Sequence, residues 1–399
     1  MTETGHLLAD LTALSNQMLD DPYPVYDVLR GMGPVVYLEQ LDRWMVSGHR
    51  QALDLLRDER LSSDRTRWRD YQPPESFDRL PGGMVMLDPP DHTRLRSLVS
   101  QAFSPRLVEQ LRPRIEELVT ELLDEAEARG EIDLMPDFAG PLPATVLAEL
   151  LGIPAADHVL FRTWTTTLID SIDPVSVRLS ESEAVTKARE ATEAYLLDII
   201  GKRRRQPEQD LISALVQAEE SGAKLSAAEL LEMCYLLVIA GLQTTANLIG
   251  NGTDALLQNP GQLARLRAEP GLIGTAVEEM LRYDGPIQVS GRVPVTDVEI
   301  DGQTLPQGHM VGILIGAANR DPAAFPDPDR LDLGRTPNNH LGFGRGIHFC
   351  LGGPLARIEG AIALAALVTR FPDLRRAGEA QRRRSIHVRG FVSLPLSVR

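Results

Sequence analysis

One stretch limits the fold of this chain more than any other: His340-Leu-Gly-Phe-Gly-Arg-Gly-Ile-His-Phe-Cys-Leu-Gly-Gly-Pro-Leu-Ala-Arg357. It contains Cys350, one of 2 cysteines in 399 residues. Gly342, Gly344 and Gly346 precede it at alternate positions, and Gly352-Gly353-Pro354 follows, opening an apolar run that reaches about Leu367. Proline suits the first turn of a helix, where its missing N–H has no partner to lose. Cys350 is therefore expected just before a helix N-terminus, where orphan amide donors and the positive end of the helix dipole converge. Such surroundings favour a thiolate, the form that ligates metal. The glycines permit left-handed backbone and close approach to a flat, bulky group. For the cysteine considered alone, the competing reading is a buried structural residue in a glycine-rich turn.

The pattern Phe343-Gly344-x-Gly346-x-His348-x-Cys350-x-Gly352 is dense over ten positions and resembles the haem-binding loop of the cytochromes P450. The resemblance implies that Cys350 is the proximal ligand of the iron in haem b (iron protoporphyrin IX), with Phe343, Gly344 and His348 in the cofactor site.

Composition narrows the class from the other side. Apolar content of 43% and charged content of 24% describe an ordinary globular chain, with no strong linker, repeat or low-complexity tract. One domain over residues 1–399 is expected. The formal charge of −15 argues against general affinity for nucleic acid or an anionic membrane. Met1-Thr-Glu-Thr-Gly-His has no basic region before an apolar core, and the apolar runs near 235–241 and 361–368 are short for a bilayer. These features predict a cytoplasmic protein with no membrane partner.

Further segments extend the resemblance over almost the whole chain. Asp88-Pro-Pro-Asp-His-Thr-Arg-Leu-Arg96 reads as a helix start capped by Asp91, with His92 and Arg96 on one face. A solvated basic face is the plain reading; the resemblance implies that both contact a haem propionate, as would Arg292 and His348. Leu225-Ser226-Ala-Ala-Glu229 is a capping-box signature for a helix running to about Gln258. Its first half is apolar on nearly all faces and so expected to be buried, with Cys234 as core. Ala240-Gly241-Leu242-Gln243-Thr244-Thr245 spends poor helix formers in mid-rod, which predicts a local bulge or close packing at small residues. The segment resembles the family's oxygen-activation motif. That implies Ala240 and Gly241 on the distal side of the haem and Thr244 hydrogen-bonding oxygen or water there. The family usually has an acid where Gln243 stands, and an amide can orient water but cannot donate and regain a proton at neutral pH.

Glu279 and Arg282 lie three apart on a helix, a spacing any soluble helix offers. The resemblance makes them two members of a buried network, completed by Arg330 from Phe325-Pro-Asp-Pro-Asp-Arg330, bracing the loop beneath the haem. Residues 106–129 read as one long helix, residues 161–177 as a less regular block that roofs the substrate, and residues 68–83 as a loop. Strand patterns fall at 34–38, 43–47, 298–306 (with an Asp301-Gly302 turn), 310–315, 386–389 and 392–396. The expected fold is mainly α with a small β region, P450-like, with a long central helix over the haem.

The implied function is a haem-thiolate monooxygenase that inserts one oxygen atom from O2 into a lipophilic small molecule, a secondary metabolite. By resemblance Met84, Val85, Met86, Leu236, Ile239, Ala240, Ile287, Val289 and Phe391 wall an apolar pocket. No flavin or iron–sulfur segment occurs in the chain, so electrons from NAD(P)H would arrive through a ferredoxin and ferredoxin reductase. Arg345 and Arg357 would either attract the ferredoxin or bind haem and loop carbonyls. Gln243 keeps a second reading open, a peroxide-driven or phenol-coupling haem-thiolate oxidase. A catalytically silent haem-binding protein is a third.

Overall fold

The computed structural model describes residues 17–72, 83–103, 105–171, 183–220 and 225–399. Most of the loop expected at 68–83, and the end of the block at 161–177, lie outside these residues. The chain divides into two compact units. The first comprises Met1–Tyr71, Asn247–Cys350 and Leu367–Arg399, and the second comprises Gln72–Ala246 and Leu351–Ala366.

The first unit holds the main β-sheet, five strands in the order Val35–Leu38, Arg43–Val46, Val311–Leu314, Val289–Pro294 and Leu61–Ser62. All neighbours are antiparallel except Arg43–Val46 beside Val311–Leu314, which run parallel. Val311–Leu314 is buried at every position. Successive strand side chains point to opposite faces, and both faces are covered here. Val311 and Ile313 join a core with Val46, Leu55 and Leu305, whereas Leu314 joins Val25, Tyr26 and Leu29 of the Tyr23–Met32 helix. A hairpin pairs Val298–Ile300 with Gln303–Leu305, and Asp301 and Gly302 take φ of 50° and 74°, as a type I′ turn requires.

The C-terminal strands differ from expectation. Gln381–Arg382 pairs with Phe391–Ser393, and residues 386–389 contribute only one bridge, Val388 to Ile287. The Ser385 hydroxyl accepts the amides of His387 and Val388, giving this backbone a local alternative to a ladder. Arg389 turns inward to Asp284, at 2.6 Å.

The helix Ile273–Tyr283 carries the brace predicted around Glu279. Glu279 and Arg282 have fully buried side chains, joined at 2.7 and 2.9 Å. The third arginine is Arg335, not Arg330. Arg335 Nε lies 3.1 Å from Glu279 Oε1, and its guanidinium also donates to the carbonyls of Pro326, Asp327 and Arg330. Arg330 leaves 64% of its side chain exposed, paired with Asp332, and contributes its carbonyl to Arg282. Asn338 and the amide of Asp332 complete the donors to Glu279.

The second unit is helical. The helix expected over 106–129 breaks into Pro105–Gln110 and Arg112–Arg129. Pro113 lacks an N–H and clashes with a preceding turn, so the ladder cannot run through it. The threonine-rich segment lies in a regular helix, His158–Ser171, where Thr163 and Thr167 bond back to carbonyls four residues earlier. Asp91 does not cap its helix. Pro90 holds the N-cap, and Asp91 sits in the first turn, 3.1 Å from Arg94.

The long helix is Ala227–Gln258, 32 residues. Its capping box is formed in both directions: Glu229 N–H donates to Ser226 Oγ at 3.2 Å, and Ser226 N–H to Glu229 Oε2 at 2.7 Å. Arg94 also hydrogen-bonds the Glu229 carboxylate and, with the cap, holds its pKa down to about 2. One window of this helix has a mean hydropathy of 1.4, long and apolar enough to cross a membrane by composition alone, contrary to expectation; 56% of that window is buried within the protein.

The Glu279 brace sets a contrast. Arg335→Ala takes one partner from a buried charge and is expected to cost on the order of 3 kcal/mol, whereas Arg330→Ala should stay within about 0.5 kcal/mol. Urea denaturation midpoints check both; equal effects would contradict the assignment of Arg335.

Candidate functional site

Cys350 is half-buried and lies three residues before the helix Gly353–Arg370. Its N–H donates to Phe343 O at 2.9 Å, closing the loop, and Gly344 N–H donates to Leu341 O at 2.8 Å. Between them Gly344 and Gly346 take φ of 69° and 71°, the left-handed region that L side chains disfavour. At Gly346 a Cβ would also lie 2.5 Å from Leu56 O. Gly342 is not left-handed, but it is pressed against Leu281 O and the His340 ring, each 3.1 Å from where a Cβ would sit. The Phe343 ring packs between His340 and Phe349, at 6.0 and 6.3 Å. Arg345 donates to Gly344 O and His340 O at 3.1 and 2.8 Å, which matches its loop-carbonyl reading. Cys234 is the opposite kind of cysteine: burial pushes its thiol up to about 12, so it stays protonated and inert.

In the second unit, Ala240, Gln243 and Thr244 lie on successive turns of the long helix, with Ala240 exposed and the other two half-exposed. The bulge expected here is absent, and the helix runs unbroken. Thr244 Oγ1 donates to Ala240 O at 2.9 Å, so the hydroxyl shares an acceptor with the main-chain ladder without opening it. Gly241 turns toward Leu147 of the Pro141–Leu151 helix, 3.5 Å from where a Cβ would stand, so it serves helix packing. Leu236 meets Gly83, which brings the Gly83–Met86 turn against the same helix. Met84 is buried, Met86 half-buried and Val85 exposed. Ile239 packs with Trp164 and Tyr235 on Leu168, Val185 and Ala188.

His92 and Arg96 come together on the helix Asp91–Ala102. Burial, and then the Arg96 charge, lower the His92 pKa and favour its neutral form beside that cation. In the first unit Arg292 is buried on the strand Val289–Pro294 and donates to Gly291 O and Ser290 Oγ. His348 ends the short turn Gly346–His348. Ile287 and Val289 are half-buried against the sheet cores. Phe391 is buried, with the Arg382 guanidinium 3.8 Å above its ring.

Three features escaped the sequence reading. Arg335 carried no local mark distinguishing it from Arg330. His340 is buried and bonded to Glu278, a pairing across 62 residues. Glu359 is buried in the Gly353–Arg370 helix, its Oε2 has no hydrogen-bond partner, and burial pushes its pKa up to about 8. A lone acid amid the apolar run Ile358 to Ala366 was its signal.

Comparison with known proteins bears on the whole chain. Residues 32–395 match the family model "Cytochrome P450". The cytochrome P450 monooxygenase PikC of Streptomyces venezuelae is 44% identical over 374 residues, 92% of this chain and 87% of that protein. The polyketide biosynthesis cytochrome P450 PksS of Bacillus subtilis (strain 168) is 43% identical over 365 residues, 89% of each chain. The solved structure of P450BioI in complex with an acyl carrier protein ligated to hexadec-9Z-enoic acid superposes with a TM-score of 0.88 at 39% identity, covering 96% of this chain and 99% of that one.

The two left-handed glycines should differ in sensitivity. Gly344→Ala meets open space beyond 3.8 Å and should cost about 1–2 kcal/mol of backbone strain. Gly346→Ala adds a clash with the Leu56 carbonyl, so its thermal midpoint and haem content should fall further; equal loss in both would contradict the loop geometry.

Proposed function

Because this chain belongs to the cytochrome P450 family, we propose that Cys350 is the thiolate ligand of its haem. The chain is an oxidoreductase, a haem-thiolate monooxygenase that binds iron protoporphyrin IX and acts with O2 on a lipophilic substrate. The residues present fit that cofactor. One observation carries the assignment: a half-buried thiol lies at the start of a helix, its amide tied to Phe343 O, beyond two glycines held in left-handed backbone. Such a loop supplies the soft anionic ligand and a backbone free of side chains on which a flat ring can rest.

When bound, haem supplies the redox chemistry that activates O2. The chain's own residues bind, orient and move protons. Arg96 and Arg292 would carry the positive charge toward the propionates, with His92 and His348 as imidazole donors. The Thr244 hydroxyl, already directed along the helix to Ala240 O, would hold oxygen or water on the reacting side. Gln243 would orient a water, and no carboxyl stands beside Thr244 to hand on its proton. Leu236, with the Gly83–Met86 turn against it, would provide apolar surface for the substrate.

The substrate we propose is a lipophilic secondary metabolite; a relative named for polyketide biosynthesis, PksS, and another named 6-deoxyerythronolide B hydroxylase support this. The electron donors we propose are a ferredoxin and its reductase, and the site of action is the cytoplasm. The missing carboxyl at Gln243 favours one second reading, a peroxide-driven oxidase.

Three outcomes test this. The reduced, CO-bound protein should show the red-shifted Soret band of thiolate ligation, and Cys350→Ser should abolish it; a variant that keeps the band overturns the assignment of Cys350. Turnover should be faster with ferredoxin, reductase and NAD(P)H than with peroxide alone, and the reverse order selects the second reading. Gln243→Glu should raise the fraction of reductant coupled to product and the turnover by roughly tenfold or more; unchanged coupling would show that proton supply does not depend on this position.

A further inference from the structure

His340 opens the cysteine loop, and its two ring nitrogens face different partners. The ring is buried, with 3% of the residue exposed. Nδ1 lies 3.0 Å from the Gly342 nitrogen, whose N–H points at it. Nε2 lies 3.0 Å from Glu278 Oε2. A nitrogen that accepts an N–H carries no proton of its own, so the ring proton belongs on Nε2, where it is donated to the carboxylate. Glu278 thus selects the tautomer, and the tautomer makes Nδ1 an acceptor for the loop amide.

That amide is the first of a short relay. Gly342 is wedged between Leu281 O and the His340 ring. The carbonyl of that same peptide, Leu341 O, accepts the Gly344 N–H at 2.8 Å, and Phe343 O, the carbonyl of the Gly344 peptide, accepts the Cys350 N–H at 2.9 Å, while His340 O accepts Arg345 at 2.8 Å. Tilting the Leu341–Gly342 peptide would therefore disturb the Gly344 peptide, whose carbonyl, Phe343 O, fixes the cysteine amide. Glu278 stands beside Glu279 on one helix, so neighbouring carboxylates hold two different parts of the same structure. Glu279 holds the segment that reaches Arg335 and Asn338, and Glu278 holds the loop that begins two residues later.

We propose that Glu278 and His340 are a positioning pair for the thiolate: the carboxylate fixes the imidazole tautomer, and Nδ1 aims the Gly342–Cys350 loop so that the sulfur is presented to iron. This rests on the haem-thiolate reading above. It makes His340 specific for a hydrogen-bond acceptor at the δ position, a demand that simple filling of the core does not make.

Three substitutions in the full-length holoprotein separate these roles. His340→Asn puts an oxygen close to the Nδ1 position and keeps the acceptor; His340→Gln reaches toward Glu278 but offers Gly342 nothing; His340→Phe keeps only bulk. Two readouts apply, the share of the reduced CO complex with the red-shifted Soret band and the hydrogen-exchange rate of the Gly342 amide. His340→Asn should keep both near wild type. His340→Gln and His340→Phe should lose most of the red-shifted band, weaken haem retention by about tenfold and speed Gly342 exchange by a similar factor. Equal loss in the Asn and Gln variants, or full retention in Gln, overturns the pair. If the wild type itself lacks the band, the haem-thiolate reading falls, and the Gly342 exchange rates still decide whether His340 holds the loop.

Discussion

A fully buried carboxylate at Glu279 is the constraint on which much of the first unit depends. An isolated charge in such a place would cost several kcal/mol, so the fold surrounds it with donors. Arg282 comes from the same helix, and Arg335, Asn338 and the Asp332 amide come from the segment that follows the sheet. Arg282 in turn gathers the carbonyls of Asn319, Pro328 and Arg330. Asn319 then receives the Leu341 amide at 2.7 Å, at the mouth of the cysteine loop. The loop is thus delivered to its place by a chain of hydrogen bonds that begins at a charge with no access to water.

The second unit solves a different problem. Its long helix must show apolar surface without being merely greasy, and it must hold a hydroxyl at a chosen place. Burial of Met233, Cys234 and Val238 secures one side, while on another Leu236 is half-buried and Ala240 exposed. A surface of that kind suits a lipophilic substrate and a flat cofactor, and Thr244 adds one polar group to it. Haem-thiolate chemistry asks the protein for ligation, dryness and a proton path. Cys350 and the apolar side chains of the long helix are the residues proposed for the first two, and at the third stands Gln243, an amide beside the Thr244 hydroxyl.

Much of this was legible wherever the physics is local. The cysteine loop is written in glycines, a proline and a thiol, each tied to its own backbone conformation. The capping box Ser226–Glu229 and the Asp301-Gly302 turn are equally short-range, and both form. What escaped was long-range. Arg330 and Arg335 sit in one loop with the same charge, and only the folded path of the chain decides which guanidinium turns inward. The pairing of His340 with Glu278 spans 62 residues and has no local mark. The break at Leu111 was written at Pro113, but the amphipathic pattern continues across it and hid the proline's effect.

The capping box has one more consequence. A helix pinned at its first turn by a reciprocal cap, and anchored again by Arg94, cannot rotate about its axis. Thr244 lies about five turns beyond Ser226 at about 3.6 residues per turn, so it emerges on the same side as the cap. The helix therefore acts as a dial with a fixed zero. Exchanging one side chain for another along those turns leaves the setting alone, but inserting or deleting a single residue would turn the hydroxyl through about 100°. Chain length between cap and hydroxyl, rather than composition, is what keeps Thr244 in phase with Ser226.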